Sequence, residues 1–225
     1  ALAPEHLFGP MAPNGLADGN MLRTEPGERM VVQLPDGSRI DLNGDSEAEI
    51  RFTANRRQIA LRRGDALFTV AHDVQRPFYV ATGRANIRVV GTQFLIREFP
   101  ATTSVDVFQG TVEIRAPHAE TAMMRVTRGS RVTVGDTVVL DRLGARSAND
   151  WRAGWVDEEA VTLSDLAEMV ERRTGDAIHV DPALRDLRVS GRFKITEPKK
   201  LFRMLSTTYG FKVTEEDNII RIYKD

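Results

Sequence analysis

Two apolar stretches on either side of a turn signal, between residues 27 and 43, constrain this chain more than any other feature of its sequence. Apolar side chains occupy every second position, at Met30, Val32 and Leu34 in the first stretch and at Ile40 and Leu42 in the second. Strict alternation predicts half-buried β-strands, because successive side chains of a strand point to opposite faces. The turn signal is Pro35-Asp36-Gly37, in which proline fixes φ, aspartate can bond its own backbone and glycine accepts a positive φ. The segment is therefore predicted to be a β-hairpin.

A glycine between two β-rich runs occurs three more times, and we interpret each of these units as a further hairpin. The three glycines are Gly64, Gly110 and Gly129. Their spacing is too uneven for a repeat of fixed period. The predicted fold class is mainly β: an all-β twisted roll or sandwich of short hairpins, followed by a small α+β domain.

The pattern changes near Trp151, where helical periodicity replaces alternation. Thr162 and Asp165 resemble a capping box at the start of a helix, and Gly175 is in the position of its C-terminal cap. A second helix of the same kind ends at Gly210. Short β-rich runs surround both helices, so this part is predicted to be a small α+β module with two similar α-β-β halves.

These patterns divide the chain into three parts. Residues 1–22 are rich in Pro, Gly, Ala and Asn and are predicted to be a linker. Residues 23–148 are predicted to form the β domain, and residues 149–225 the α+β domain. Because tryptophan buries a large area, we expect Trp151 and Trp155 to pack at the joint between the two domains rather than to stack on a ligand.

Composition and charge exclude several classes of function. The chain has 225 residues, of which 41% are hydrophobic and 28% charged, and its net charge of -1 creates no field that would recruit nucleic acid or a membrane surface. No run approaches the ~20 apolar residues of a membrane helix. There is no cysteine, and the four histidines lack metal-ligand spacing. We therefore expect no metal, no cofactor, no nucleic-acid partner and no direct membrane contact in this chain.

Seven short motifs follow one another along the chain. They are Gly27-Glu28, Leu34-Pro35-Asp36-Gly37-Ser38, Leu42-Asn43, Gly64-Asp65-Ala66-Leu67-Phe68, Arg76-Pro77-Phe78, Val90-Gly91-Thr92-Gln93-Phe94 and Val107-Phe108-Gln109-Gly110-Thr111-Val112. In this order they resemble FecR-type proteins, and the resemblance extends from about Thr24 to about Val161. From Leu163 onward the chain resembles, in pattern and position, a secretin and TonB short N-terminal (STN) domain.

The resemblance implies a regulatory protein and not an enzyme. FecR-type proteins are anti-sigma regulators of iron-siderophore uptake in Gram-negative bacteria, with a cytoplasmic anti-sigma segment, one inner-membrane helix and a periplasmic region. This chain is similar to the periplasmic region, so the parent protein is expected to be anchored in the inner membrane. The start of the chain has no signal-peptide pattern, so we expect any export or anchoring segment to lie outside it.

The expected partners also follow from the resemblance. They are the periplasmic signalling domain of a TonB-dependent outer-membrane siderophore transducer and, through a cytoplasmic segment outside this chain, an extracytoplasmic-function sigma factor. An alternative class is a periplasmic scaffold or cell-wall binding module, since β-rolls have many functions.

Gly91-Thr92 is the one pair of residues that suggests chemistry. Thr92 Oγ can attack the Gly91 carbonyl in an N→O acyl shift, and the resulting ester would hydrolyse. Glycine tolerates strain at the attacked bond. Some FecR-type regulators are processed in this manner, and this is the matching bond. A self-cleaving proregulator and a purely structural threonine both stay open. The structural interpretation is favoured, because the sequence shows no base or oxyanion donor near Thr92.

The partner is predicted to bind by strand addition, because an unpaired strand edge offers a row of N–H and C=O groups. The first candidate edge is the last strand, which is terminal, short and β-rich. Its predicted partner-binding residues are Ile219, Ile220, Arg221, Ile222 and Tyr223. The β domain could equally supply the edge.

Overall fold

A computed structural model describes residues 21–116, 123–143 and 148–224. The first strands are β1 (Met21–Arg23), β2 (Met30–Gln33), β3 (Arg39–Leu42), β4 (Glu47–Phe52), β5 (Arg57–Thr69), β6 (Phe78–Ala81), β7 (Asn86–Val89), β8 (Gln93–Glu98), β9 (Thr103–Gln109), β10 (Thr111–Arg115), β11 (Met124–Thr127), β12 (Ser130–Val134) and β13 (Val138–Arg142). The later elements are α1 (Ala148–Arg152), β14 (Trp155–Thr162), α2 (Leu163–Thr174), β15 (Ala177–Val180), a 3₁₀ turn (Pro182–Leu184), β16 (Arg188–Lys194), α3 (Pro198–Tyr209), β17 (Lys212–Glu216) and β18 (Ile219–Tyr223). The prediction of a mainly β fold is confirmed.

The long strand β5 connects the first thirteen strands into one curled sheet, which we call the β-roll. The first half of β5 pairs with β4 and, in parallel, with β6. Its second half pairs with β3 and β8. Two half-sheets result: sheet A, in the order β1-β4-β5-β6-β7-β10-β11, and sheet B, in the order β2-β3-β5-β8-β9-β12-β13. Apolar side chains of both sheets meet in one core. There the rings of Phe68 and Phe94 stack with their centroids 5.1 Å apart.

Gly64 lies where β5 passes from sheet A to sheet B. Its φ is +91°, and a Cβ at this position would lie 2.5 Å from Ser46 Cα. The side-chain alternation shifts here by one residue, since Leu61 is buried before the bend and Ala66 after it, while residues 62–63 are exposed. A bulge of this kind bends a strand and lets it contribute to two packed sheets.

The predicted hairpins have different outcomes. The first is confirmed, since β2 and β3 pair antiparallel across the turn. The units at Gly64, Gly110 and Gly129 are not hairpins, because the strands flanking each glycine do not pair with each other. Each glycine has a positive φ at a corner where the chain passes between sheet A and sheet B. Antiparallel pairs of successive strands do form elsewhere, as in β6–β7, β8–β9 and β12–β13.

Residues 148–224, which we call the tail module, form two smaller sheets with helices. Strand β14 pairs with β16, and β15, β18 and β17 form a three-stranded sheet in that order. Helix α2 begins after Thr162, whose Oγ accepts a hydrogen bond from the N–H of Asp165, and Gly175 caps its end with a φ of +77°. The predicted caps and the α-β-β order of both halves are confirmed. In the part of the chain that the structure describes, no helix combines the length and apolar character needed to cross a membrane.

We expect Gly64→Ala to destabilise the β-roll more than Gly37→Ala. Both glycines have a positive φ, but a Cβ at Gly37 would meet only Ala71 Cβ, at 3.9 Å, whereas a Cβ at Gly64 would overlap the Ser46 backbone. Gly37→Ala should therefore lower the free energy of unfolding by about 1 kcal/mol, and Gly64→Ala by roughly 3 kcal/mol or more. Urea unfolding of both variants measures the difference, and equal losses would contradict the account of the β5 bend.

Candidate functional site

The tail module packs on the outer face of sheet B, and charged residues from both sides form the contact. Arg97, Asp106 and Arg131 lie on the neighbouring strands β8, β9 and β12, and all three are buried. Glu158 of β14 meets them from the tail module. A buried charge is tolerated only when it is paired, so the strands must hold these four residues in register.

Glu158 accepts hydrogen bonds from two arginines at once. Arg97 Nη1 lies 2.7 Å from Glu158 Oε1, and Arg131 Nη1 lies 2.5 Å from Glu158 Oε2. Asp106 pairs with the same two arginines, through Arg97 Nη2 at 3.1 Å and Arg131 Nη2 at 2.7 Å. Two carboxylates and two guanidinium groups therefore form a closed ring across the joint, which we call the ion-pair ring.

Arg172 makes a second charged contact between the tail module and the β-roll. It lies near the end of α2 and is 1% exposed. Its Nη1 donates to Asp65 Oδ1 at 2.7 Å, and its Nη2 donates to the Glu98 carbonyl oxygen at 2.7 Å and also to Glu168. Its guanidinium lies 5.1 Å from the centroid of the Phe99 ring. The end of α2 is thus fixed to the central strand β5 and to the end of β8.

Burial and charge act in opposite directions on the pKa values of this joint. Burial alone would lower the pKa of Arg172, but the charges of Asp65 and Glu168 outweigh it and hold that pKa above its usual value. Burial raises the pKa of Glu168 and of Asp165, both on α2, and the nearby arginines offset only part of the effect. Arg172 therefore stays cationic, while the carboxyls of Glu168 and Asp165 bind protons more readily than exposed ones.

The two tryptophans have different environments. Trp151 is 5% exposed and packs with Ala148 against Leu67 and Leu95 of sheet B. The prediction that it packs at the joint is confirmed. Trp155 is only partly buried, and its ring lies 5.0 Å from the Arg192 guanidinium, within the tail module.

Sequence reasoning missed all the residues of the ion-pair ring. Asp106 and Arg97 occupy the outward positions of apolar strands, where an alternating pattern predicts a solvent-facing residue. The available signal was the charged residue at an outward position of each of three apolar strands, which are neighbours in the sheet but not consecutive in the chain. Only the position of β14 shows that this face is covered.

Gly91 and Thr92 lie at the start of β8. Thr92 is 4% exposed, and its Oγ donates to the Thr111 carbonyl oxygen at 2.9 Å. A Cβ at Gly91 would lie 2.5 Å from His72 Nδ1, so the imidazole packs directly against this glycine. The imidazole of His72 therefore lies beside Gly91, and cleavage of the Gly91-Thr92 bond stays a prediction.

Strand β18 is the central strand of its sheet, so the prediction that Ile219–Tyr223 is an edge is wrong. The strand pairs in parallel with β15 and antiparallel with β17. A terminal strand is expected at an edge, but β18 pairs both with β17, which precedes it, and with the more distant β15, and so lies between them. The predicted role of its residues Ile219, Ile220, Arg221, Ile222 and Tyr223 in partner binding is untested, and a partner strand would first have to displace a neighbour.

The edges of this sheet are β15 and β17. On β15, the Ile178 N–H already donates to Glu171 Oε1 at 2.8 Å. On β17, no side chain among the described residues bonds the main chain of residues 213–216. The outward side of β17 is therefore the more accessible edge.

A cleft of about 550 Å³ separates the tail module from the β12–β13 side of sheet B. Ser104, Thr133 and Val139 line it from the sheet, and Asp165 and Arg188 from the tail module. Strand β13 forms its outer wall, where all five residues are exposed.

Comparisons with known proteins agree with the fold. A family model described as FecR protein matches residues 20–113. Two crystal structures of a "putative anti-sigma factor" from Parabacteroides distasonis ATCC 8503, at 2.50 and 1.65 Å resolution, are 24% identical in sequence to this chain. They superpose with TM-scores of 0.82 and 0.81, covering 91% of this chain and 98% and 99% of theirs. No curated protein matches the sequence. The resemblance to FecR-type proteins is confirmed, and that of the tail to an STN domain stays a prediction.

We expect Glu158→Ala to destabilise the chain by roughly 3–5 kcal/mol. The substitution removes one of the two carboxylates that pair with the buried Arg97 and Arg131, and leaves only Asp106. The matched control is Glu197→Ala, which breaks the exposed pair with Lys200 and should cost at most about 1 kcal/mol. Chemical unfolding gives both values. A loss for Glu158→Ala no larger than that of the control would show that the ring does not hold the joint.

Proposed function

We propose, from the match of the FecR family model to residues 20–113, that this chain is the signal-receiving region of an anti-sigma regulator. In this proposal the chain lies in the periplasm and its parent protein is anchored in the inner membrane. It binds the periplasmic signalling domain of a TonB-dependent siderophore transducer and so controls an extracytoplasmic-function sigma factor. The observation that carries the proposal is the FecR match.

A receiver without catalytic chemistry needs a surface, and β17 is the edge that best supports partner binding. Its outward main chain carries no bond from a described side chain at residues 213–216, whereas the edge of β15 is occupied by Glu171. Glu216 is exposed on this edge, and Arg221 Nε lies 3.8 Å from Glu216 Oε2. We therefore infer that the partner strand pairs with β17 and carries a basic residue opposite Glu216.

In this proposal, a bound partner acts on the β-roll through helix α2. This helix packs on β15, in the sheet that contains β17, and its Arg172 is bound to Asp65 on the central strand of the β-roll. The proposed binding edge, β17, is thus separated from β5 by one sheet and one helix. The proposed signal path consists of these packed elements.

We expect proline on β17 to abolish strand addition. Successive residues of a strand point their N–H groups to opposite sides, so either Thr214→Pro or Glu215→Pro removes an outward donor and spares the β18 ladder. The variant that stays folded by circular dichroism should bind the signalling domain at least about tenfold more weakly in calorimetric titration. Thr214→Ala and Glu215→Ala keep their N–H groups and should bind as the wild type does.

Two outcomes would contradict this proposal at different levels. Wild-type affinity in a folded proline variant that lacks the outward donor would exclude β17 as the binding edge. If the wild-type chain binds no signalling domain encoded in its own genome, the receiver function itself is wrong.

The contact of His72 with Gly91 favours a second candidate function, self-cleavage. Thr92 Oγ would add to the Gly91 carbonyl carbon while His72 accepts the hydroxyl proton and returns it to the leaving amide nitrogen. Water would then hydrolyse the ester, leaving a carboxylate on Gly91 and a free amine on Thr92. Intact mass distinguishes this candidate. Wild type and Thr92→Ser should yield fragments 1–91 and 92–225, and Thr92→Val only the whole chain. A single intact mass for the wild type would exclude cleavage.

A further inference from the structure

Strand β13 ends sheet B with an apolar edge. It pairs with β12 on one side, and no described strand pairs with it on the other. Val138, Val139 and Leu140 are 38%, 46% and 58% exposed. They are three of the seven large apolar residues that the described part of the chain exposes, and they are consecutive. Long apolar edges are normally avoided in monomers because they pair with other chains.

Both faces of β13 contribute to this surface. Val132 and Val134 of β12 point into the core, so their paired neighbours Leu140 and Val138 lie on the core side of the sheet. Val139 lies on the opposite side and lines the cleft beneath the tail module. A strand added here would thus gain apolar contacts on both of its faces.

The edge strand of the tail sheet is different in character. Strand β17 carries the charged residues Lys212, Glu215 and Glu216 and has no run of consecutive apolar residues. On β13 the charges lie only at the ends of the apolar run. Asp136 precedes it, and Asp141 and Arg142 follow it.

We propose that β13 pairs antiparallel with β13 of a second copy of this chain, about a two-fold axis through Val139. In this register Val139 meets Val139 of the second copy, and Val138 meets Leu140 of the second copy twice by symmetry. Further out, Thr137 lies opposite Asp141 and Asp136 lies opposite Arg142, again twice. The apolar centre and the opposite charges at the ends make the strand complementary to itself.

The charges select this register over its neighbours. A shift that centres the axis on Asp141 places two aspartates directly opposite each other, which is destabilising. A shift that centres it on Leu140 leaves Asp141 opposite Val139. Among the described residues, Asp136, Asp141 and Arg142 form no ion pair within one chain.

The tail modules leave room for this pairing. A two-fold axis perpendicular to the sheet places both modules on the same face of the combined sheet. The cleft of about 550 Å³ separates each module from β13, so the two clefts open towards each other across the axis. The buried area of one strand pair is below that of a standard interface, so the dimer is weak and forms at high concentration.

Sedimentation equilibrium of the chain between about 5 and 500 μM tests this proposal, because weak dimers have micromolar dissociation constants. The wild type should shift from monomer to dimer over this range. Val139→Lys places like charges at the axis and should raise the dissociation constant about tenfold or more. Val31→Lys, at another exposed valine on an edge strand, is the matched control and should not change it.

Charge reversal tests the register. Arg142→Asp should raise the dissociation constant about tenfold, because two attractive pairs become repulsive. Adding Asp136→Arg to Arg142→Asp restores both pairs and should restore dimerisation. A monomer throughout the concentration range would overturn the proposal. Dimerisation that Val139→Lys leaves unchanged would also overturn it. A double variant that still fails to dimerise would overturn the proposed register. The inference is independent of the function proposed above, since it involves no transporter.

Discussion

The buried ion pairs between sheet B and the tail module determine how the rest of the chain is arranged. The apolar part of this contact consists of Trp151 and Ala148 packed on Leu67 and Leu95, and of Phe99, which joins the core of the tail module. The charged part is directional, because Glu158 must lie within hydrogen-bond distance of two arginines at once. Removing charges from water is costly, and their mutual attraction only offsets that cost when the geometry is good. The ring therefore fixes the orientation of the tail module more than it adds stability.

Arg172 gives this orientation a functional consequence. It connects α2 to Asp65, on the strand that both half-sheets share. The bend of β5 at Gly64 lies one residue away, so the contact point of the tail module coincides with the place where the β-roll changes sheets. Within the proposed function, a partner bound to the tail sheet acts on the part of the β-roll where the two half-sheets meet.

The sequence predicted those features that depend on local chemistry. Alternation identified the strands of the first hairpin, and Thr162 and Gly175 marked both ends of α2. Features that depend on long-range pairing were not predictable in this way. Gly110 and Gly129 would have a positive φ both in a hairpin turn and at a corner between two sheets, so the local sequence does not distinguish these structures. Likewise, only the parallel crossover from β15 places β18 inside its sheet. The charged residues at the joint follow a solvent-facing pattern in the sequence, because Glu158, which covers them, lies 61 residues after Arg97 and 27 residues after Arg131.

Native-state hydrogen exchange tests most directly the central claim that these ion pairs unite the β-roll and the tail module. Amides of β5 and α2 would be followed at increasing concentrations of denaturant below the unfolding transition. If the joint makes one cooperative unit, the opening free energies of both elements converge on that of global unfolding. If α2 opens at a much lower free energy while β5 stays protected, the tail module unfolds independently and the account of the joint is wrong.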